Sequence, residues 1–332
     1  MGRAPTVEDV ARRAGVSRQT VSNVLNSPDI VRPATRERVA AAIEELGYRT
    51  HAAARMLRTQ RSSTIGIHLD PYVGGVSGVV LDRFVHALAE RASDRGMRIL
   101  VYAARTPEEE VARLTEITDG GEIDAAVLTG TFRGDPRASF LASRRLPFVA
   151  FGRPWDDGAE PAHPWVDVDG AAGTRQATEH ALTHGSRVAF LGWPEGSGTG
   201  DDRERGWREA MAAASATGPR WSSVDDVAAA RDVAAAGIGD VDAVVCASDS
   251  LAIGALLAAA AAGRGALPII GFDNTPAAEA LGLSSVEQRP EKVAGAVLRL
   301  LMGPDGRHVL PASAGPQPAE KLVAPELVIR TR

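Results

Sequence analysis

Val7, Val10, Ala11 and Ala14 recur at the three- and four-residue spacing that lines up apolar side chains along one stripe of a helix. Thr6 stands before them with Asp9 three residues on, a cap and an acidic first turn suited to the positive helix start. Gly15 ends the run, because a chain reversing there needs a residue tolerant of positive φ, and Val16 plugs the angle beyond it. Ser17 then caps a second helix over 18–25, with Val21, Val24 and Leu25 facing inward. Arg18, Gln19, Ser22 and Asn23 face outward near its N-terminal end. A third helix is predicted from Pro33 to Leu46, with Ala40, Ile43 and Leu46 as its core face and Gly47 as its stop. The stretch 51–58 is helix-prone but too short to be stable alone in water.

From Thr64 the period changes. Short apolar runs at 65–69, 98–102, 125–128 and 148–151, then at 188–191, 243–246, 268–272 and 284–287, alternate with helical stretches. Those helices are placed at 79–93, 107–118, 171–183, 202–214 and 250–261. Such alternation marks a parallel α/β architecture. The Pro- and Gly-rich segment 153–164 divides the two series, while 291–301 and 321–330 cross back. The expected organisation is a head at 1–50, a linker at 51–62 and two discontinuous lobes. One lobe takes 63–162 with about 291–323, the other 163–290 with about 324–332.

Composition narrows the classes. A chain of 332 residues with 44% hydrophobic and 24% charged positions fills two or three globular cores. It holds no run near the roughly 18–20 apolar residues of a membrane span. Residues 1–5 lack the apolar core of a secretory signal, so a cytoplasmic location is expected. The single cysteine, Cys246, can form no internal disulfide, and the seven histidines show no metal-ligand spacing. No Ser-His-Asp order stands out, so neither catalysis, metal nor cofactor is expected. The net charge of −5 conceals an asymmetry: residues 1–61 carry eleven arginines against six acids, a balance of +5 that leaves −10 for the rest. A basic head on an acidic body is the footprint of a protein that grips DNA at one end.

Two short helices joined by a three- to four-residue turn containing glycine form a DNA-reading helix-turn-helix. Arg18 has the fork that bonds guanine twice, and Gln19 or Asn23 can do the same for adenine. Ser17, Thr20, Ser22 and Asn26 suit phosphate oxygens, which fix register without reading sequence. The run from Thr6 to Asn26, continued by Thr35-Arg36-Glu37-Arg38-Val39 and Leu46-Gly47-Tyr48-Arg49, closely resembles the N-terminal signature of the lactose/galactose repressor (LacI/GalR) family.

That resemblance puts Arg18, Gln19 and Asn23 at base-reading positions and Thr6, Ser17, Thr20, Ser22 and Asn26 at phosphate-contacting ones. It makes 51–62 a hinge helix, with Ala54 facing the minor groove and Leu57 as the wedge between base pairs. Thr50 departs from the proline of many relatives. The body resembles the family's periplasmic-binding-protein-like sensor through Val166-Asp167-Val168-Asp169-Gly170, the segment around Arg203–Trp207, Ala247-Ser248-Asp249, Gly271-Phe272-Asp273 and 325–330. The fold class is thus an all-α helix-turn-helix head plus an α/β sensor of two parallel-sheet lobes. The family's tetramerising heptad helix is missing before the sequence stops at Arg332, so a homodimer on a palindromic double-stranded operator is expected.

A ligand belongs between the lobes, at the carboxyl ends of strands. Asp273 ends a strand and can accept from two sugar hydroxyls, although a strand-end aspartate also commonly caps a loop. By resemblance Arg203 is the effector-binding arginine, and Trp165 falls where relatives place an aromatic against the ligand, though it fits a core equally. Asp249 and Ser248 are second-tier candidates, followed by Tyr72, Arg153, Trp193 and Trp221. The glycine-rich segment 192–200 lacks the ending of a phosphate loop and reads as a loop lining the cleft. The tryptophans and missing phosphate motif favour a neutral mono- or oligosaccharide effector over a nucleobase, and its binding is expected to favour a lobe arrangement that parts or misaligns the hinge helices. A co-repressed regulator with a nucleobase ligand is the rival within the family. A solute-binding or enzymatic α/β protein is the rival outside it.

Overall fold

A computed structural model describes residues 5–26, 28–48, 61–69, 76, 78–156, 163–302, 309–310 and 320–331. It divides into two compact units, 1–62 and 63–332. In the first, α1 (Val7–Ala14) starts at a reciprocal cap: Asp9 Oδ2 accepts the Thr6 N–H at 2.9 Å, and Thr6 Oγ1 accepts the Asp9 N–H at 3.4 Å. Gly15 takes φ 62° and lets the Val16 N–H reach back to Ala11 O at 3.0 Å, which closes α1 and turns the chain into α2 (Arg18–Asn26). Helix α3 (Pro33–Leu46) lies across both, ended by Gly47 at φ 61°. Val10, Ala11, Ala14, Val21, Val39 and Ala42 are buried between the three, flanked by Val7, Val16, Val24, Leu25, Ile43 and Leu46. Ala40, read from sequence as core, is exposed. The stripe that meets α1 runs through 39, 42, 43 and 46, and Ala40 lies about 100° round the helix from Val39.

The second unit holds two six-stranded sheets with the same strand order. The first joins β1 (Thr64–Leu69), β2 (Arg98–Ala103), β3 (Ala125–Thr129), β4 (Phe148–Phe151), β5 (Trp165–Val168) and β11 (Glu320–Val323) in the order β11-β5-β4-β3-β1-β2. The second joins β6 (Val188–Gly192), β7 (Arg220–Ser222), β8 (Ala243–Cys246), β9 (Ile269–Phe272), β10 (Ser284–Glu287) and β12 (Glu326–Val328) in the order β12-β10-β9-β8-β6-β7. Among these strands only β12 runs antiparallel, against β10.

Alternation along β1 sends Ile65 and Ile67 to the face covered by α4 (Gly78–Ser93) and α12 (Pro290–Leu301). Helix α12 buries Val293, Val297, Leu298 and Leu301 there, each worth about 1.5–3 kcal/mol of removed apolar surface. The opposite face of the sheet packs under α5 (Pro107–Asp119) and α6 (Pro136–Ser143).

The lobe division differs from the sequence reading at one place. Trp165–Val168 pairs with β4 (Ala150↔Trp165) and β11 (Glu320↔Trp165), so it belongs to the first sheet. The chain crosses over only after Val168, where Asp169 Oδ1 accepts the Ala172 N–H at 2.9 Å and starts α7 (Gly170–Ala181). It returns between β10 and α12, and crosses a third time between β11 and β12. Helix α7 packs so tightly on α8 (Gly198–Ala213) that a Cβ on Gly206 would lie 2.1 Å from Ala171 O. The second sheet is completed by α9 (Val227–Ala235), α10 (Asp249–Ala261) and α11 (Pro276–Ala280).

Candidate functional site

The outer face of α2 gathers the head residues singled out from sequence. Arg18 and Gln19 are exposed and Asn23 is half-buried. Gln19 Nε2 donates to Asn23 Oδ1 at 3.0 Å, so two amides one turn apart form a continuous donor-and-acceptor edge. Arg18 Nη1 lies 3.5 Å from Glu8 Oε1, a surface pair worth at most about 1 kcal/mol that yields readily to a stronger acceptor. Ser17 Oγ accepts the Thr20 N–H at 3.1 Å and lies 2.9 Å from Thr20 Oγ1, so the two hydroxyls sit together at the helix start. Thr6 Oγ1 is committed to Asp9 Oδ2 at 2.7 Å, and Ser22 is half-buried. The Asn26 side chain, Ala54, Leu57 and Tyr72 lie outside the described residues. A guanidinium beside a fixed pair of amides, at the positive end of a helix, matches what a major-groove edge and its flanking phosphates present.

In the body a cavity of about 360 Å³ lies where the carboxyl ends of the first sheet's strands meet α8. That volume is in the range of small-molecule pockets. Thr129, Phe151 and Asp167 reach it from β3, β4 and β5, and Trp155 from the segment after β4. The second lobe contributes Trp193, Thr199, Asp202, Arg203 and Gln288. Two of the predicted residues therefore line it directly, Arg203 and Trp193.

Arg203 is 5% exposed, and its guanidinium sits 3.8 Å from the Phe272 ring centroid and 5.2 Å from that of Trp193. Nη1 donates to Ala247 O and lies 3.6 Å from Asp273 Oδ1. Asp273 itself is set behind this arginine and accepts from Gln288 Nε2 at 2.5 Å, so Gln288 and Arg203 stand between it and the cavity. Its backbone takes φ 111°, a strained value for a residue with a side chain and one that marks a position held by its surroundings. Burial pushes the Asp273 carboxyl up to about 8 against the opposing pull of Arg203, with the Asp249 charge adding to the rise. Burial likewise depresses Arg203, opposed by Asp273.

Arg153 binds around the rim. Its Nε donates to Asp167 Oδ2 at 2.8 Å in the first lobe and its Nη2 to Asp202 Oδ2 at 3.2 Å in the second. Burial raises Asp167 despite this partner.

Four candidates sit elsewhere. Asp249 is fully buried, accepting Ser285 Oγ–H at 2.6 Å and the Thr275 N–H at 2.7 Å, so it ties α10 to strand β10 and to the loop between β9 and α11. Ser248 caps α10 and donates to Asp225 Oδ1 at 2.5 Å. Trp165 packs in the first-lobe core with Phe148, Ala150 and Tyr102. Trp221 rests on the second core beside Gly237. The two polar residues are consumed by folding because helix termini are also where buried backbone needs side-chain partners, and the two indoles by apolar packing.

Sequence reasoning missed Trp155, Thr129, Asp167, Asp202 and Gln288 as cavity residues. Their common signal is position just at or beyond a strand's carboxyl end or in the first turn of α8. The loop read at 192–200 does reach the cavity, through Trp193 and Thr199, but its last residues from Gly198 are helix.

Comparison with known proteins covers both units. Residues 6–51 match the family described as "Bacterial regulatory proteins, lacI family", and residues 178–331 match the "Periplasmic binding protein-like domain". The chain is 33% identical over 325 residues to the HTH-type transcriptional regulator CelR of Thermobifida fusca, covering 90% of this chain and 92% of that one. Among solved structures, the transcriptional regulator CelR–cellobiose complex matches with a TM-score of 0.67 at 29% identity, over 98% of this chain and 99% of that one. The lac repressor dimer bound to operator and the anti-inducer ONPF shares the fold, with a TM-score of 0.80 at 22% identity over 99% of this chain and 98% of that one. A helix-turn-helix head and a two-sheet periplasmic-binding-protein-like body in one chain, matched over nine-tenths of its length by such a relative, make it a member of the lacI family of bacterial regulatory proteins, the DNA-binding transcriptional regulators.

Proposed function

We propose that this regulator is a repressor that binds a palindromic operator as a homodimer and leaves it when a small neutral sugar enters the body cavity. The observation that carries the reading is the electrostatic state of that cavity. Its charges are already balanced inside the protein, where Arg153 and Arg203 stand against Asp167 and Asp202, while burial holds Asp273 beside Arg203 largely protonated. No uncompensated charge is left among the described lining residues to demand an ionic ligand, because a buried charge without a partner is costly. What the lining does lack is hydrogen-bond partners: Thr129 Oγ1, Trp155 Nε1, Trp193 Nε1 and Arg203 Nε are buried with none. Neutral hydroxyls on an apolar-faced ring meet both conditions, with indoles offering both a flat apolar surface and a donor. The CelR relative was solved with cellobiose, which makes that sugar the first to test.

On the operator, Arg18, Gln19 and Asn23 read base edges, and Thr6, Ser17, Thr20, Ser22 and Asn26 hold phosphates. Ala54 and Leu57 enter the minor groove. The protein acts in the cytoplasm, without catalysis. The test is a calorimetric titration with cellobiose and other neutral sugars, followed by a gel shift on the palindrome nearest the gene. A sugar that binds at micromolar concentration and releases the DNA supports the reading. A nucleobase that binds instead, or a ligand that tightens DNA binding, replaces it with a co-repressed mechanism.

A further inference from the structure

Trp155, a cavity residue of the first lobe, meets the second lobe through its ring. A Cβ built on Gly198 would lie 2.2, 2.4 and 2.6 Å from Cδ2, Cγ and Cε2 of Trp155, so the indole rests face-on against the bare Cα of this glycine. Gly198 is the first residue of α8, in the second lobe, just after the cap that Ser197 Oγ makes to the Gly200 N–H at 3.2 Å. Trp155 follows β4 of the first lobe by four residues. The guanidinium of Arg153 lies 5.0 Å from the centroid of the indole, and Arg153 itself is pinned to Asp167 and Asp202. The indole is thereby held between a glycine of one lobe and an arginine anchored to both. Thr199, Asp202 and Arg203, on the same turns of α8, line the cavity with it.

We propose that Trp155, seated on Gly198, is the wall that closes the cavity and sets the length of sugar it admits, a proposal that rests on the sugar reading above. Gly198 does not take the left-handed φ that would itself require glycine, and alanine is ordinarily favoured in a helix. The three atoms nearest to a methyl group here all belong to the indole. An alanine at 198 displaces Trp155 by more than an ångström, which opens the cavity at that end without disturbing α8. Short sugars then lose a contact surface and longer ones gain entry.

The experiment uses the full-length protein, Gly198→Ala, Trp155→Leu and the double variant. Each is titrated calorimetrically with glucose, cellobiose and cellotriose. Hydrogen exchange of the peptide 148–156 is followed without ligand, and melting is recorded. The expected result for Gly198→Ala is at least tenfold weaker binding of the parent's preferred sugar, a shift of preference toward the next longer one, faster exchange at 148–156 and an undiminished melting temperature. The double variant binds within about twofold of Trp155→Leu, since the smaller side chain removes the clash, and such non-additivity is what a merely structural role of Gly198 does not produce. Parental affinity and exchange in Gly198→Ala overturn the proposal, as does a double variant weakened by the product of the two single effects. If the parent binds none of the three sugars, the sugar reading fails. Exchange then decides the seat by itself: faster in Gly198→Ala upholds it as the closure of a cavity for another ligand, unchanged exchange ends it.

Discussion

Asp273 shows how far one side chain departs from its ordinary chemistry when the fold encloses it. Its carboxyl is held at about 8 in the folded protein against 3.8 in a free chain. Between those two pH values the native state keeps a proton that the unfolded chain has released. The native state thus binds more protons, so stability falls as pH rises through this window. The contribution is complete below about pH 4 and spent above about pH 8, with a slope of at most about 1.4 kcal/mol per pH unit. Asp273→Asn keeps an acceptor for Gln288 and removes the titration. The variant is therefore expected to lose less melting temperature than the parent between pH 5 and pH 8. Parallel melting curves over that range would mean that Arg203, 3.6 Å away, keeps the carboxylate ionised throughout.

At the scale of elements, α1 and α2 do separate jobs and respond differently to substitution. Thr6→Ala removes the reciprocal cap of α1, which costs about 1 kcal/mol of head stability, read as a lower denaturation midpoint, while Thr6→Ser retains it. Arg18→Ala with Gln19→Ala leaves the helix cap at Ser17 in place and, on the proposed reading, removes base contacts worth about 1–3 kcal/mol each. In a gel shift the double variant is expected to bind its operator and an unrelated duplex alike. These head helices were legible because each carries its own start, stripe and stop within a dozen residues, and the one error, Ala40 for Val39, concerns which of two adjacent residues meets α1.

The long buried strands were legible for the same reason, as apolar runs. Edge strand β7, at three residues, and the short helices α6 and α9 went unplaced because so little sequence carries them. Trp165–Val168 carries the apolar pattern of a strand and pairs with β4 just upstream, but the Pro- and Gly-rich segment between them reads as a lobe boundary, which assigned it to the wrong lobe. The cavity was the least legible part. Arg203 and Trp193 were identified, whereas Asp249, Ser248 and Trp221 proved to serve the fold, a distinction that depends on partners such as Ser285 and Gly237 far along the chain.

At the scale of the whole molecule the proposed function requires the cavity and the operator face to be coupled, and the junction between the lobes is where a cavity ligand acts. Three chain crossings join them, between β5 and α7, β10 and α12, and β11 and β12. Among the described residues two ionic bridges span them as well: Arg153 to Asp202 beside the cavity, and Arg83 of α4 to Glu287 at 3.1 Å, next to the β10–α12 crossing. A ligand shifts such an arrangement only by as much as it binds one state better than another. Linkage then fixes a second measurement from the first. If the sugar weakens operator binding by some factor, a saturating operator must weaken sugar binding by that same factor, of order 5–150-fold for ordinary couplings of about 1–3 kcal/mol. The check is to titrate the sugar calorimetrically into free protein and into the operator complex, and to titrate the operator with and without saturating sugar. Equal factors place the coupling within one two-site molecule. A sugar affinity that ignores the operator, alongside an operator affinity that falls with sugar, breaks the cycle and excludes the cavity as the site through which release is driven.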